Sequence, residues 1–273
     1  MSAAPSPEQR MAFGRVAEQY ERARPSYPSP AIDEALAYAD IGPGRRVVEV
    51  GAGTGKATRL LSARGLRVLA LEPDPAMAAI CARHADPALV EARETDFESW
   101  RPDSPVGLVF CAQAWHWLHP RLRWQRAAEA LRLGGAVAAL WTVPVWERIA
   151  LRAALDEAYA SAVPEMAADF PLHPAARAER IAGNWREEVG EGFDDVRVVA
   201  HDWEQRYAAG EYTEMIATHQ DHIRLQPRRR EALLAAVRET IEREGAGTIE
   251  VAYRTNVCLA RRLDGGAQGR GRL

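Results

Sequence analysis

Val47-Val48-Glu49-Val50-Gly51-Ala52-Gly53-Thr54-Gly55-Lys56 sets the architecture of this chain. A short run rich in β-branched residues suits a strand covered on both faces. Gly51, Gly53 and Gly55 follow at alternate positions, where a backbone without Cβ atoms can turn sharply and bring its N–H groups close to a ligand. Ala57, Leu60 and Leu61 then recur at helical spacing, and Gly65 falls where such a helix would end. Strand, bare turn and helix N-terminus together predict a cradle for a nucleotide-like cofactor.

Spacing separates the cofactors such a cradle could take. A nucleoside-triphosphate loop needs glycine, four residues, Gly-Lys and a hydroxyl residue. Lys56 fits, but Val50 stands at the first glycine and Ala57 at the hydroxyl position. A dinucleotide turn, Gly-x-Gly-x-x-Gly, finds Gly51 and Gly53 but then Lys56, with Gly55 one residue early. Glu49, two residues before the first glycine, suits a cationic or amine-bearing ligand better than a pyrophosphate.

Glu49-Val-Gly-Ala-Gly-Thr-Gly55 resembles the first motif of class I S-adenosylmethionine-dependent methyltransferases. The resemblance runs from about Val47 to Trp141 and looks nearest to the small-molecule branch containing trans-aconitate-type enzymes. It implies an α/β, Rossmann-like, seven-stranded, mostly parallel sheet with an antiparallel last strand, helices on both faces and a helical lid or cap. It implies S-adenosylmethionine as cofactor, held at Glu49, Gly51, Ala52, Gly53 and Gly55. No metal ligands are assigned.

Composition bounds the rest. The 273 residues, 47% hydrophobic and 27% charged, suit one core domain with a lid. A net charge of −3 exerts no general pull towards nucleic acid. Cys81, Cys111 and Cys258 lack metal or redox spacing and read as buried thiols in a reducing compartment. The start shows no signal-peptide pattern, and the apolar run from Ala136 to Val145 is too short to span a bilayer. The expectation is a cytoplasmic protein, monomeric or homodimeric, whose partner is a small-molecule substrate rather than nucleic acid or a membrane.

Residues 1–40 are read as a lid with entry helices, including one from Glu8 to Arg22. Residues 41–145 form the cofactor core, 146–193 a helical cap, 194–263 the completion of the sheet, and 264–273 a disordered tail. By the resemblance, Tyr20 and Arg24 close over the methionine end of the cofactor, the guanidinium pairing with its carboxylate; packing of the lid explains Tyr20 equally well. Arg67–Glu72 reads as the second strand, ending in a carboxylate that could accept from both ribose hydroxyls, with Pro73 beside it. Asp74 and Pro75 then open a helix as N-cap and first residue. Asp96 and Phe97 are placed by the resemblance at the adenine, and Ala112 and Gln113 at the methionyl part.

Where Gly107 stands, the resembled family usually has Asp, at the start of the fourth strand. The phrase Trp115-His116-Trp117 follows that strand and should border the transferable methyl, with Trp141 ending the fifth strand nearby. Trp115, Trp117 and Trp141 are read as the substrate pocket. His116 could be a general base or a structural hydrogen-bonder. The function implied is in-line methyl transfer to an O, N or C nucleophile. An enzyme keeping the cofactor intact, such as a cyclase, a cofactor-sensing protein, and a nicotinamide oxidoreductase remain as alternatives.

Overall fold

The computed structural model describes residues 11–164, 166 and 183–263. Its strands are β1 (Arg46–Val50), β2 (Arg67–Glu72), β3 (Val90–Glu94), β4 (Val106–Ala112), β5 (Leu131–Pro144), β6 (Phe193–Ala208) and β7 (Thr248–Arg262). They form one sheet ordered β3-β2-β1-β4-β5-β7-β6. The first five strands are parallel, and β7 lies antiparallel between β5 and β6. This is the Rossmann-like mixed sheet expected. The strand order reverses between β1 and β4, which opens a crevice at the carboxyl ends of these strands.

Side chains alternate across the sheet, as period-two geometry requires. Val47, Val68, Leu108 and Phe110 pack under the helices Ser29–Ala39 and Lys56–Ser62. Val48, Leu69, Val109 and Cys111 face the opposite way, against Trp124 of the helix Leu122–Ala130 and against Trp185. Helices on both faces account for the unbroken apolar sequence of β4.

Several boundaries differ from the sequence reading. The expected helix from Glu8 appears as a 3₁₀ turn, Met11–Val16, leading into the α-helix Ala17–Ala23; residues 8–10 lie outside the described residues. Gly14 sits in that turn because a Cβ there would fall 2.2 Å from the Asp74 carboxylate. The sequence predicts the fifth strand over Ala136–Trp141, but β5 begins at Leu131, which already pairs with Val106 before the register shifts. The sequence pattern predicts one helix over Tyr212–Arg224, and the structure has two, Ala209–Ile216 and Gln220–Ile223.

The sequence pattern predicts strands over Val196–Trp203 and Thr248–Ala260; β7 does start at Thr248, but β6 runs on to Ala208 and thereby shapes the site. Pro144 at the end of β5 faces Tyr253, so residues 248–252 of β7 continue past it, paired with residues 204–208 of β6. This overhang stands at the carboxyl end of β5. It carries a second core in which Tyr159 and Leu155 of the helix Arg152–Ala162 meet Tyr212 of Ala209–Ile216 and Leu233 and Val237 of Pro227–Glu244.

The expected cap, 146–193, divides accordingly. Its first part joins that second core, while Trp185 near its end is buried beneath the main sheet. Residue 165 and residues 167–182 lie outside the described residues, as do the expected loose start at 1–7 and tail at 264–273.

Candidate functional site

A cavity of about 840 Å³ lies at the carboxyl ends of β1, β2, β4 and β5, beneath the overhang and beside the N-terminal helix. The glycine bend forms its floor. Gly51 and Gly53 adopt φ of +64° and +58°, a left-handed backbone that costs glycine little. Gly51 also admits close packing, because a Cβ there would lie 2.4 Å from that of Ala114.

The bend's amides are not presented to a ligand as the sequence suggested. Gly51 N–H and Ala52 N–H both donate to the Leu71 carbonyl, and Gly55 N–H donates to the Ala52 carbonyl. Gly53 N–H donates to Glu72 Oε2 at 2.8 Å. Four donors that would grip a pyrophosphate are therefore satisfied by the protein itself, and two buried carboxylates stand where a phosphate would repel them. The single lysine is engaged too: Lys56 Nζ donates to the Glu21 carbonyl at 2.7 Å.

Glu72 is held on both oxygens, Oε1 accepting from Asp74 N–H at 2.9 Å. A carboxylate oxygen has two lone pairs, so each retains capacity for a further donor. Burial raises the Glu72 carboxyl to about 7, against the lowering pull of its backbone hydrogen bonds. Asp74 caps the next helix through Ala76 N–H and Met77 N–H, with Pro75 as first residue, as predicted. Glu49 accepts from Thr58 Oγ1 at 2.6 Å, and burial raises its carboxyl to about 8.

Among the remaining sequence candidates, Tyr20, Arg24, Ala52, Pro73, Asp96, Phe97, Ala112, Gln113, His116, Trp117 and Trp141 line this cavity with Glu49, Gly51, Gly53 and Glu72. Asp96 Oδ1 accepts from Ser99 N–H at 2.7 Å, and Phe97 stacks on Trp100 at 6.2 Å. Gln113 holds a φ of +62° and donates from Nε2 to the Thr142 carbonyl, fixing the end of β4 to β5. Arg24 donates through Nε to Thr218 Oγ1 at 2.7 Å, with its guanidinium over the Tyr20 ring.

Two candidates sit elsewhere. Trp115 does not line the cavity; it is buried on the opposite side, edge-on to Trp124 at 5.2 Å and near Trp185. A short 3₁₀ turn points alternate residues of Trp115–Trp117 in different directions, which sequence alone did not resolve. Gly55 likewise does not line it; it precedes the helix Lys56–Ser62 at φ +84°, and a Cβ there would meet Cys81 Sγ at 2.9 Å.

His116 Nδ1 accepts from Trp141 Nε1–H at 3.1 Å. An indole N–H can only donate, so the neutral imidazole carries its own proton on Nε2. The ring presents an N–H donor in that state rather than a basic nitrogen.

Sequence reasoning missed the far wall, built by Tyr159, Tyr212, Met215, His219, Asp221 and Tyr253. Tyr159 Oη lies 2.8 Å from His222 Nε2, and His222 Nδ1 lies 2.8 Å from Asp221 Oδ1. The signal for it was present as three titratable residues, His219-x-Asp221-His222, which the structure places at the break between the helices Ala209–Ile216 and Gln220–Ile223. Ligand atoms of these three lie within 4.8 Å of one another, but both His222 ring nitrogens are already bonded.

Residues 47–135 match the family model described as a methyltransferase domain. An uncharacterized methyltransferase of Mycobacterium tuberculosis is 43% identical over 131 residues, 48% of this chain and 52% of that one. The chain thus spans about half the length of the curated relatives it first matches. Among solved structures, a methyltransferase from Thiobacillus denitrificans in complex with S-adenosylhomocysteine aligns with TM-score 0.51 and 15% identity over 89% of this chain and 96% of that one. The [4+2]-cyclase SpnF aligns with TM-score 0.56 and 18% identity over 97% and 99%. The fold is that of class I S-adenosylmethionine-dependent methyltransferases. The matched segment runs from the second residue of β1 to the start of β5 and takes in the cavity residues Glu49, Gly51, Gly53, Glu72, Asp96 and Gln113, but not Tyr20 or Arg24.

Proposed function

We propose that this protein transfers the methyl group of S-adenosylmethionine to a small-molecule acceptor. The observation that carries the reading is Glu72: a buried carboxylate fixed by Gly53 N–H at the lip of a bend whose amides are spent internally. Such a site accepts hydrogen bonds from vicinal hydroxyls and favours a cationic ligand over a pyrophosphate.

The cofactor supplies an activated methyl on a sulfonium. This chain's residues bind and orient. Glu72 accepts from the ribose hydroxyls, and Asp96 from the adenine amino group beside Phe97. Glu49 places a carboxylate near the charged end. Tyr20 and Arg24 close the N-terminal lid over the methionyl part, with Ala112 and Gln113 beneath it. The acceptor lies under the β6–β7 overhang against Trp117 and Trp141, where orientation and water exclusion can supply about 7–11 kcal/mol. The cap at 146–193 selects the acceptor. The three thiols are buried and unpaired, which suits the cytoplasm, and among the described residues no helix is long and apolar enough to cross a membrane.

The test is calorimetry with S-adenosylhomocysteine and with NADH, followed by mass analysis of metabolite fractions incubated with S-adenosylmethionine. Binding of the first ligand alone, and an acceptor 14 mass units heavier in step with cofactor consumption, is the expected result. NADH binding alone would replace the reading with an oxidoreductase. The fold also hosts a cyclase, and a changed product without methyl gain would assign that chemistry instead.

A further inference from the structure

The N-terminal helix Ala17–Ala23 is fastened to two sides of the cavity. On the cofactor side, Ala17 is buried against Met77 and Ile80 of the helix that follows Glu72, and Phe13 and Tyr20 pack on the same cluster. Glu21 pairs there with Arg59 Nη2 at 2.7 Å, and its carbonyl accepts from Lys56, the first residue of the helix after the glycine bend. On the far-wall side, Gln19 Nε2 donates to the Glu214 carbonyl at 3.2 Å. Arg24, which caps the end of the helix, donates through Nε to Thr218 Oγ1 at 2.7 Å and through Nη2 to the Thr218 carbonyl at 3.1 Å.

Thr218 is fully buried, and its hydroxyl donates to the Met215 carbonyl at 2.7 Å while accepting from Arg24. It directly precedes His219, in the turn between Ala209–Ile216 and Gln220–Ile223. A single turn of helix such as Gln220–Ile223 does not hold its own shape in water, so its place depends on tertiary pins. Arg230 and Tyr159 supply such pins from the second core, through the Ala217 carbonyl and His222. Arg24 supplies one from the helix that also rests on the cofactor side.

We propose that Arg24 is a positioning residue for the far wall: it ties that wall to the cofactor through Thr218, so that residues 217–223 settle when the cofactor binds and the acceptor follows second. This rests on the methyl-transfer reading above, with Tyr20 and Arg24 over the methionyl part. Ligand contacts with Tyr20 and Arg24 exist only while the N-terminal helix is closed, so the cofactor favours the closed helix. The bonds to Thr218 favour it too, and each set of contacts therefore strengthens the other. Arginine suits the task. Both bonds to Thr218 leave from one edge of the guanidinium, and the fork has a second edge that fits a carboxylate. A lysine presents a point charge and cannot serve both.

The experiment uses the full chain, its Thr218→Val, Thr218→Ser and Arg24→Lys variants, S-adenosylhomocysteine, and methylthioadenosine, which shares the adenosine and thioether but lacks the amino-acid end. Calorimetry gives the affinities, and amide hydrogen exchange reports on residues 217–223. In the wild type S-adenosylhomocysteine should slow that exchange and methylthioadenosine should not. Thr218→Val should lose the slowing and bind S-adenosylhomocysteine roughly 3- to 10-fold more weakly, the scale of one hydrogen bond, with methylthioadenosine binding unchanged. Thr218→Ser should restore both. Arg24→Lys should also lose the slowing, and it carries the test if Thr218→Val does not fold. Equal slowing by the two ligands, slowing that survives in Thr218→Val, or equal weakening of both ligands in that variant would reduce Arg24 and Thr218 to a structural pin and overturn the coupling. S-adenosylhomocysteine bound to the wild type without slowing would overturn it too and leave the methyl-transfer reading standing. Failure of the wild type to bind S-adenosylhomocysteine at all would remove both.

Discussion

Gly53 N–H donates to Glu72 Oε2 at 2.8 Å, so the second glycine of the bend and the last residue of β2 form one rigid unit. The carboxylate is aimed before any ligand arrives, and little ordering cost remains for binding. Replacing Glu72 with Ala removes the proposed ribose contact and leaves Gly53 N–H and Asp74 N–H without their acceptor. S-adenosylhomocysteine should bind more weakly by about 1–3 kcal/mol, and the melting temperature should fall. Glu72→Gln keeps one acceptor oxygen and should lie between the two. An unchanged dissociation constant for Glu72→Ala would remove this residue from the ribose.

Glu49 and Glu72 give the unliganded protein a pH dependence with a definite sign. Burial lifts them to about 8 and about 7, above the 4.5 of an ordinary glutamate. Between those values the folded chain holds protons that the unfolded chain has released, so stability is present at low pH and lost as pH rises through 7 to 8. Thermal melts should give a lower midpoint at pH 8 than at pH 6, and Glu49→Gln should flatten the difference. A sulfonium beside these groups favours their ionised forms. The preference for S-adenosylmethionine over the uncharged thioether product should therefore grow with pH; calorimetry of both ligands across this range decides it.

The glycine-bend side of the cavity was legible in the sequence because it is local. Within one βαβ unit, glycine spacing fixes the bend, and β2 runs from Arg67 to Glu72 as read. The far wall was not, because Tyr159, Tyr212, His219, Asp221 and Tyr253 come together through the register of β6 on β7. That register extends through Glu204, Gln205 and Arg206, polar residues that carry no strand signal, yet it sets where the second core stands. Trp115 and Trp117 illustrate the same limit at short range: two residues apart, one is buried beneath the sheet and the other lines the cavity.

Trp141 Nε1–H donates to His116 Nδ1, which defines what His116 can do. A neutral ring with its proton on Nε2 does not accept a substrate proton without giving up the tryptophan. His116→Gln should leave the pH dependence of turnover in place and weaken acceptor binding by roughly 0.5–1.5 kcal/mol, the scale of one hydrogen bond that orients Trp141. Loss of an ionisation from the turnover profile would restore His116 as a base.

Gly107 explains itself by its neighbour. A Cβ on this residue would lie 2.4 Å from Ile41 Cδ1, so the strand start is occupied by a side chain from the loop before β1. The Asp usual in the resembled family therefore has no room here, and a carboxylate would be buried against isoleucine. Gly107→Asp should destabilise by at least about 1–3 kcal/mol through overpacking against Ile41, while Arg132 Nε, 3.5 Å from the new Cβ, offsets part of the carboxylate's burial. Gly107→Ala isolates the steric part at about 1–3 kcal/mol, and Ile41→Ala in the same chain should recover most of that part by opening the space. Because Gly107 lies at the opposite end of β4 from Ala112, which lines the cavity, the folded Gly107→Ala variant should bind S-adenosylhomocysteine with wild-type affinity. Urea melts give the first quantity and calorimetry the second; weakened binding in a fully folded variant would tie the start of β4 to the site.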